Sequence, residues 1–182
     1  NGFVLGEGGA ALVLENYDEA KKRGARIYAE YKGGDFSSET SRVTLPAVER
    51  DFYKQTIRGA LNAAKISAEQ IDWIVPHAIG TKITDLHEAR SIDAVFEGQR
   101  NFEVTAFKGY LGHNLGSCAL LETAIALMCM RNSYLPTSLN SMPLDSQVKF
   151  KVSTKTAGRS LRTCLKLSCG FAGYNGAIVL QS

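Results

Sequence analysis

Two short stretches carry the polar groups that could do chemistry. FKGYLGHNLGSC, residues 107–118, sets Lys108 and His113 five positions apart among glycines, just ahead of an apolar run. IDWIVPHAIG, residues 71–80, places His77 directly after an apolar segment that Pro76 stops. Neutral imidazoles donate N–H hydrogen bonds, and two aimed at one carbonyl oxygen stabilise an enolate, each donor contributing roughly 3 kcal/mol. A nearby ammonium repels a second positive charge and so keeps a histidine in its neutral form. Glu122 lies two turns into the apolar run, where burial without a cation is costly, and Lys108 is the candidate partner. Taken singly, a loop histidine is as readily a satisfied polar group, and His87, on a helix, is given no role. Metal binding is the rival use of histidines. The nearest carboxylates are Asp85 and Glu88 and no His-x-x-x-His pair occurs, so no metal site is expected.

The elements around these residues bring them together. Ile71 to Val75 reads as a strand; Leu86, Ala89, Ile92 and Phe96 mark a helix from about 84, with Thr84 as its cap; Phe102, Val104 and Ala106 alternate as a second strand. A strand–helix–strand unit is nearly always right-handed with parallel strands. Its two strand tips then share one sheet edge, where α/β sheets bind ligands. His77, Lys108 and His113 are therefore expected on one rim. The turn at 169–175 reaches that rim only if the strand before it also runs parallel.

Elsewhere the pattern predicts a short strand at Ala10 to Leu14, a helix from Tyr17 stopping at Gly24, and a strand from Ala25 to Lys32 ending at Gly33-Gly34. Residues 37–46 read as loop and 47–65 as an amphipathic helix. Ser67 with Gln70 forms a capping box, and 115–131 reads as a buried helix. TCLKLS and GAIVLQ are two final strands joined by the glycine-rich CGFAGYN. Strands alternating with helices predict an α/β fold with a mixed sheet flanked by helices, the last strand pair antiparallel.

At 182 residues the chain suits one domain, and a net charge of +3 with scattered basic residues points to no nucleic-acid partner. The longest apolar run, Leu115 to Met130, is interrupted by Ser117, Glu122 and Thr123 and falls short of the ~20 residues of a membrane span. Cys118, Cys129, Cys164 and Cys169 form no metal pattern and suit reduced thiols in a cytoplasmic protein. The chain opens on Asn1 and reads as part of something longer.

Four motifs, in order along nearly the whole chain, resemble the β-ketoacyl-acyl carrier protein synthases, condensing enzymes of the thiolase fold. NGFVLGEGGAALVLE is similar to their Asp-Gly-Phe-Val-x-Gly-Glu-Gly strand and PHAIGTKITDLHEA to their Pro-His-Gly-Thr-x-Thr loop. KGYLGHNLGSCALLE resembles their Lys-x-x-x-Gly-His-x-x-Gly motif, and SCGFAGYNGAIVL their C-terminal Phe-Gly-Phe-Gly-Gly-Thr-Asn turn. The resemblance covers only the C-terminal half of such an enzyme, residues 1–182 being a thiolase-like domain without the half that holds the nucleophilic cysteine.

The resemblance implies decarboxylative Claisen condensation in fatty acid or polyketide synthesis. His77 and His113 match the two histidines that promote malonyl decarboxylation, Lys108 the lysine that tunes them and Glu122 its acidic partner. Asp85 and Glu88 match structural acids, and Thr81 a hydroxyl on the substrate's pantetheine arm; Ile79 lacks the other such hydroxyl. Cys169 stands where a gating phenylalanine is expected, Phe171 keeping the second aromatic; the Cys169 backbone N–H would complete an oxyanion hole, and its small side chain would widen acyl access. No cofactor is implied. Implied partners are acyl carrier protein bearing acyl and malonyl groups, the N-terminal half, and a second copy in a homodimer. Lys149, Lys151, Lys155, Arg159 and Arg162 could form a landing surface for the acidic carrier. Without the nucleophile the chain alone is expected to be inactive; a thiolase-like enzyme with Cys169 as base, and a non-catalytic partner subunit or fragment, are the alternatives.

Overall fold

The computed structural model describes residues 2–39, 43–44, 47, 49–50, 52–98 and 101–182. Helix α1 (Tyr17–Lys22) is short and well capped. The Asn16 side chain accepts from the Asp18 and Glu19 N–H groups, acids occupy the first turn, and Lys21 and Lys22 the last. Strand β1 (Glu30–Ser38) follows, then α2 (Phe52–Ala64), β2 (Trp73–Val75), α3 (Lys82–Val95) and β3 (Glu103–Val104). A single turn, α4 (Lys108–Leu111), leads through a 3-10 turn at Leu115–Ser117 to α5 (Cys118–Arg131). Two short strands, β4 (Tyr134–Leu135) and β5 (Ala157–Gly158), precede the hairpin of β6 (Thr163–Gly170) and β7 (Tyr174–Gln181).

The main sheet has the order β1-β7-β6-β2-β3. β2 runs parallel to both β3 and β6, whereas β7 is antiparallel to β6 and β1. The strand–helix–strand unit is thus parallel as expected, and β6 runs with it. The β6–β7 turn therefore lies at the same end of the sheet as the tips of β2 and β3.

Each sheet face has its own core. Leu165, Leu167, Ile74, Ala177 and Val179 pack with α2 and α3 through Tyr53, Ile57, Ala60, Leu61 and Ile92. On the other face Trp73, Val75, Cys164 and Leu180 pack with Phe107, Ala126, Cys129 and Met130, under α5. Side chains alternate along a strand, so in β6 Cys164 and Lys166 face α5 while Leu165, Leu167 and Cys169 face α2 and α3.

Several sequence expectations are corrected. Ala10–Leu14 joins no ladder among the described residues, and Val13 and Leu14 are exposed. An apolar run is a strand only when a neighbour offers it hydrogen bonds. The strand placed at 25–32 begins at Glu30 and runs through Gly33 and Gly34 to Ser38, bulging between Tyr31 and Gly33. Those glycines do not stop the strand; they let α2 approach it. A Cβ on Gly33 would lie 2.6 Å from the backbone nitrogen of Ala64. Helix α3 starts at Lys82, with Thr81 and not Thr84 as its N-cap residue, because backbone at Thr81 is still extended (φ −98°, ψ 129°). The expected start of α2 at 47 includes positions 48 and 51, and the loop at 37–46 includes 40–42 and 45–46, all outside the described residues. No described helix is long and apolar enough to cross a membrane.

Candidate active site

His77 follows β2 and is buried. Two carboxylates of α3 hold its loop. The N–H groups of His77 and Ala78 donate to the two oxygens of Glu88 at 2.7 and 2.8 Å, and the Tyr53 hydroxyl donates to the same group at 2.6 Å. The Gly80 N–H donates to Asp85 at 3.0 Å. These bonds hold Ala78 at φ 42°, a left-handed conformation that costs a residue with a Cβ roughly 1–2 kcal/mol.

His113 sits between α4 and α5, on a loop that turns at Gly112 (φ 67°). A Cβ on Gly112 would lie 2.9 Å from the Val4 carbonyl oxygen, so only glycine lets the N-terminal segment pass this close. That segment straps both loops. The Gly2 N–H donates to the Gly80 carbonyl (2.8 Å), the His113 N–H to Val4 (2.7 Å) and the Gly6 N–H to the His113 carbonyl (3.1 Å). The Phe3 and His113 rings meet in a T-shaped contact with centroids 5.0 Å apart.

Positions 36 apart in sequence converge: the His77 and His113 rings lie edge to face with centroids 5.6 Å apart. The Leu115 N–H donates to His113 Nδ1 at 3.1 Å. Nδ1 is then an acceptor, which puts the proton of the neutral ring on Nε2. His77 Nδ1 is buried without a hydrogen-bond partner, so part of that ring's capacity is unspent.

Lys108 joins the rings to α5. Its Nζ donates to the His77 carbonyl and to Glu122 Oε1, the latter at 2.7 Å. Burial, with repulsion from Lys108, Lys166 and His113, pushes His77 down to about 2. Burial and Lys108 also lower His113, with Glu122 opposing. Both rings are neutral at pH 7, the state that donates a hydrogen bond without carrying charge.

Burial, then repulsion from Glu88, pushes Asp85 up to about 6 from an ordinary 3.8. The unfolded chain therefore releases this proton first, and the Asp85 contribution to stability, present at low pH, is lost as pH rises from about 4 to about 6. His77 acts in the opposite sense over this window, because the unfolded chain protonates it first as pH falls. Comparing wild type with Asp85→Asn isolates the carboxyl. Urea unfolding at pH 4 and 6.5 should show the stability difference between the two proteins changing by about 2 kcal/mol in favour of Asn at the higher pH. A constant difference would remove the buried-carboxyl interpretation.

The thiol of one expected site residue lies off the rim. The Cys169 thiol lies in the α2 and α3 core, in contact with the Tyr53 hydroxyl, and burial holds it well above the usual thiol range. It is suited neither to gating the rim nor to acting as a base; Phe171, exposed in the turn that follows, is the aromatic at that edge. Thr81 caps nothing with its side chain, and its hydroxyl oxygen is buried without a partner. Of the five basic residues proposed for a partner surface, Lys151 and Arg159 both pair with Glu103. No group of three or more His, Cys, Asp and Glu among the described residues is arranged to hold a metal ion.

Sequence reasoning missed Lys166, whose Nζ lies 2.8 Å from Glu122 Oε2. Alternation in TCLKLS suggests an outward-facing polar position, and only the two-sided burial of β6 shows otherwise.

The profile of the family described as Beta-ketoacyl synthase, C-terminal domain, matches residues 28–142. The chain belongs to that family. This ketoacyl synthase domain is 34% identical over 181 residues to the chloroplastic 3-oxoacyl-acyl-carrier-protein synthase II of Arabidopsis thaliana, covering 98% of the chain and 34% of that protein. It superposes on the ishigamide ketosynthase/chain length factor with a TM-score of 0.92 and 31% identity, over 99% of the chain and 44% of that structure. With a type II polyketide acyl carrier protein in complex with its ketosynthase bound to the hexaketide, the TM-score is 0.87 and the identity 26%, over 92% of the chain and 42% of that one. The ketoacyl synthase domain thus spans less than half the length of these relatives, and its mixed sheet with flanking helices is their thiolase-like fold.

Proposed function

We propose that the chain is the enolate-stabilising half of a condensing enzyme that joins an acyl thioester to a malonyl thioester with loss of carbon dioxide, in fatty acid or polyketide synthesis. The observation that carries this reading is the pair of neutral imidazoles 5.6 Å apart above a buried Lys108–Glu122 ion pair. Decarboxylation leaves negative charge on the thioester oxygen, and two N–H donors fixed beforehand stabilise that charge without reorganising. The unpartnered Thr81 hydroxyl suits a hydrogen bond to the substrate's pantetheine arm. The nucleophile that takes the acyl group belongs to the preceding half of the enzyme. Within this chain, burial pushes Cys129 up to about 11 and raises Cys164 and Cys169 well beyond, so none of these three supplies a thiolate at neutral pH. Acyl carrier protein is the substrate-bearing partner, as supported by the complex formed by the related ketosynthase.

The test is to give the complete enzyme an acyl-carrier and a malonyl-carrier thioester and follow both carbon dioxide and the 3-oxoacyl product. Release of both in equal amounts is the expected result. Condensation of two acyl-coenzyme A molecules without carbon dioxide would establish the thiolase reading instead, and neither product would leave a non-catalytic partner subunit. Glutamate at Lys149, Lys155 and Arg162 together should raise KM for the carrier substrates and leave KM for the matching coenzyme A thioesters unchanged.

A further inference from the structure

Glu122 meets two buried cations. Lys108 Nζ lies 2.7 Å from one of its oxygens and Lys166 Nζ 2.8 Å from the other, with the three side chains only 6, 2 and 2% exposed. Lys166 comes from the middle of the sheet, level with Val75 of β2 and Ile178 of β7. It donates to the Leu167 carbonyl, and its approach to Oε2 is an ion contact, not an aligned hydrogen bond. One lysine neutralises one carboxylate. An ammonium in the interior is expensive, and an apolar side chain at this position would be the more stable choice if packing alone were at issue.

The charges that face His77 give the second lysine a purpose. Lys108 comes from α4, Lys166 from β6, Glu122 from α5 and Glu88 from α3. Asp85, also on α3, holds the same loop, while Tyr53 and Cys169 stay neutral because burial raises both. Two lysines offset Glu122 and Glu88, and Asp85, raised only to about 6, adds one further negative charge at neutral pH. Without Lys166 the buried set carries one more negative charge, directly behind the place where an anion must form. Low dielectric makes that difference large.

We propose that Lys166 is a positioning residue for the anion-stabilising site. By taking the second oxygen of Glu122 it keeps Lys108 directed at His77, and by its charge it lowers by one unit the negative field that would otherwise oppose a carboxylate-bearing extender and the enolate derived from it. This rests on the decarboxylative reading above.

The test uses the complete enzyme with Lys166→Met and Lys166→Arg. Calorimetry compares binding of a non-decarboxylating malonyl thioester analogue, which keeps the carboxylate, with that of the matching neutral acetyl analogue. Lys166→Met should weaken the malonyl analogue by about ten- to thirtyfold and change the acetyl analogue by less than about twofold. Lys166→Arg should restore most of the preference. Equal losses for both analogues, or no loss for either, would overturn the proposal, since a purely structural lysine does not distinguish them. Should the methionine variant not fold, Lys166→Gln keeps a donor toward Glu122 without the charge and gives the same comparison. A wild-type enzyme that releases no carbon dioxide from malonyl thioester would sink the parent reading, and this inference with it.

Discussion

Alanine in place of either His77 or His113 in the complete enzyme lowers malonyl decarboxylation by roughly 10²- to 10³-fold, the effect of deleting one preorganised donor to a developing oxyanion. The two rings lie 5.6 Å apart and both are held neutral, so each contributes an N–H and neither contributes a charge. The Leu115 N–H on Nδ1 leaves Nε2 of His113 as the donor. Two donors proposed to serve one oxygen act as a unit, so the double variant should lose far less than the product of the single losses. Transfer of the acyl primer, assigned in the proposed reading to a nucleophile outside this chain, should fall much less. Following carbon dioxide release and primer loading separately checks this, and a variant that still decarboxylates at the wild-type rate removes that histidine from the site.

The second large effect is on stability. Glu122→Ala leaves Lys108 and Lys166 buried with no counter-charge, and breaking a buried ion group in this way costs about 3–5 kcal/mol. For a domain of this size the melting temperature should fall by roughly 6–20 °C. The triple variant Lys108→Met/Glu122→Leu/Lys166→Met removes the charges together and should regain most of that stability, since a buried ionic cluster is often no more stable than well-packed apolar residues. It should not regain decarboxylation. Stability and activity are thereby separated within one cluster. A Glu122→Ala protein melting within 2 °C of wild type, a threshold set at the low end of about 1 kcal/mol, would show that the lysines do not depend on this carboxylate.

Much of the site was legible before any coordinates, and the reason is topological. A parallel strand–helix–strand unit has both strand tips on one edge, so His77, after β2, and Lys108 with His113, after β3, had to meet. The Lys108–Glu122 pair followed from the price of a lone carboxylate inside an apolar helix. Where the Cys169 thiol points was not legible, because a motif gives a position in the chain and not a face. The parity of a strand decides which face a side chain takes, and Cys169 shares the face of Leu165 and Leu167. The strap of residues 2–6 across both histidine loops left no trace in periodicity, since its hydrogen bonds are backbone to backbone and long-range.

By itself the sequence determined the alternation of strands and helices, the shared rim of the two histidines, and the cation that Glu122 requires. These follow from side-chain periodicity, the handedness of crossovers and the cost of burying charge, all of which act locally or by a general rule. Tertiary structure alone decided that Lys166 turns inward to the second oxygen of Glu122, that Cys169 turns away, and that Ala10–Leu14 finds no partner among the described residues. Each of these depends on which neighbour covers which face, and a one-dimensional pattern holds no record of that.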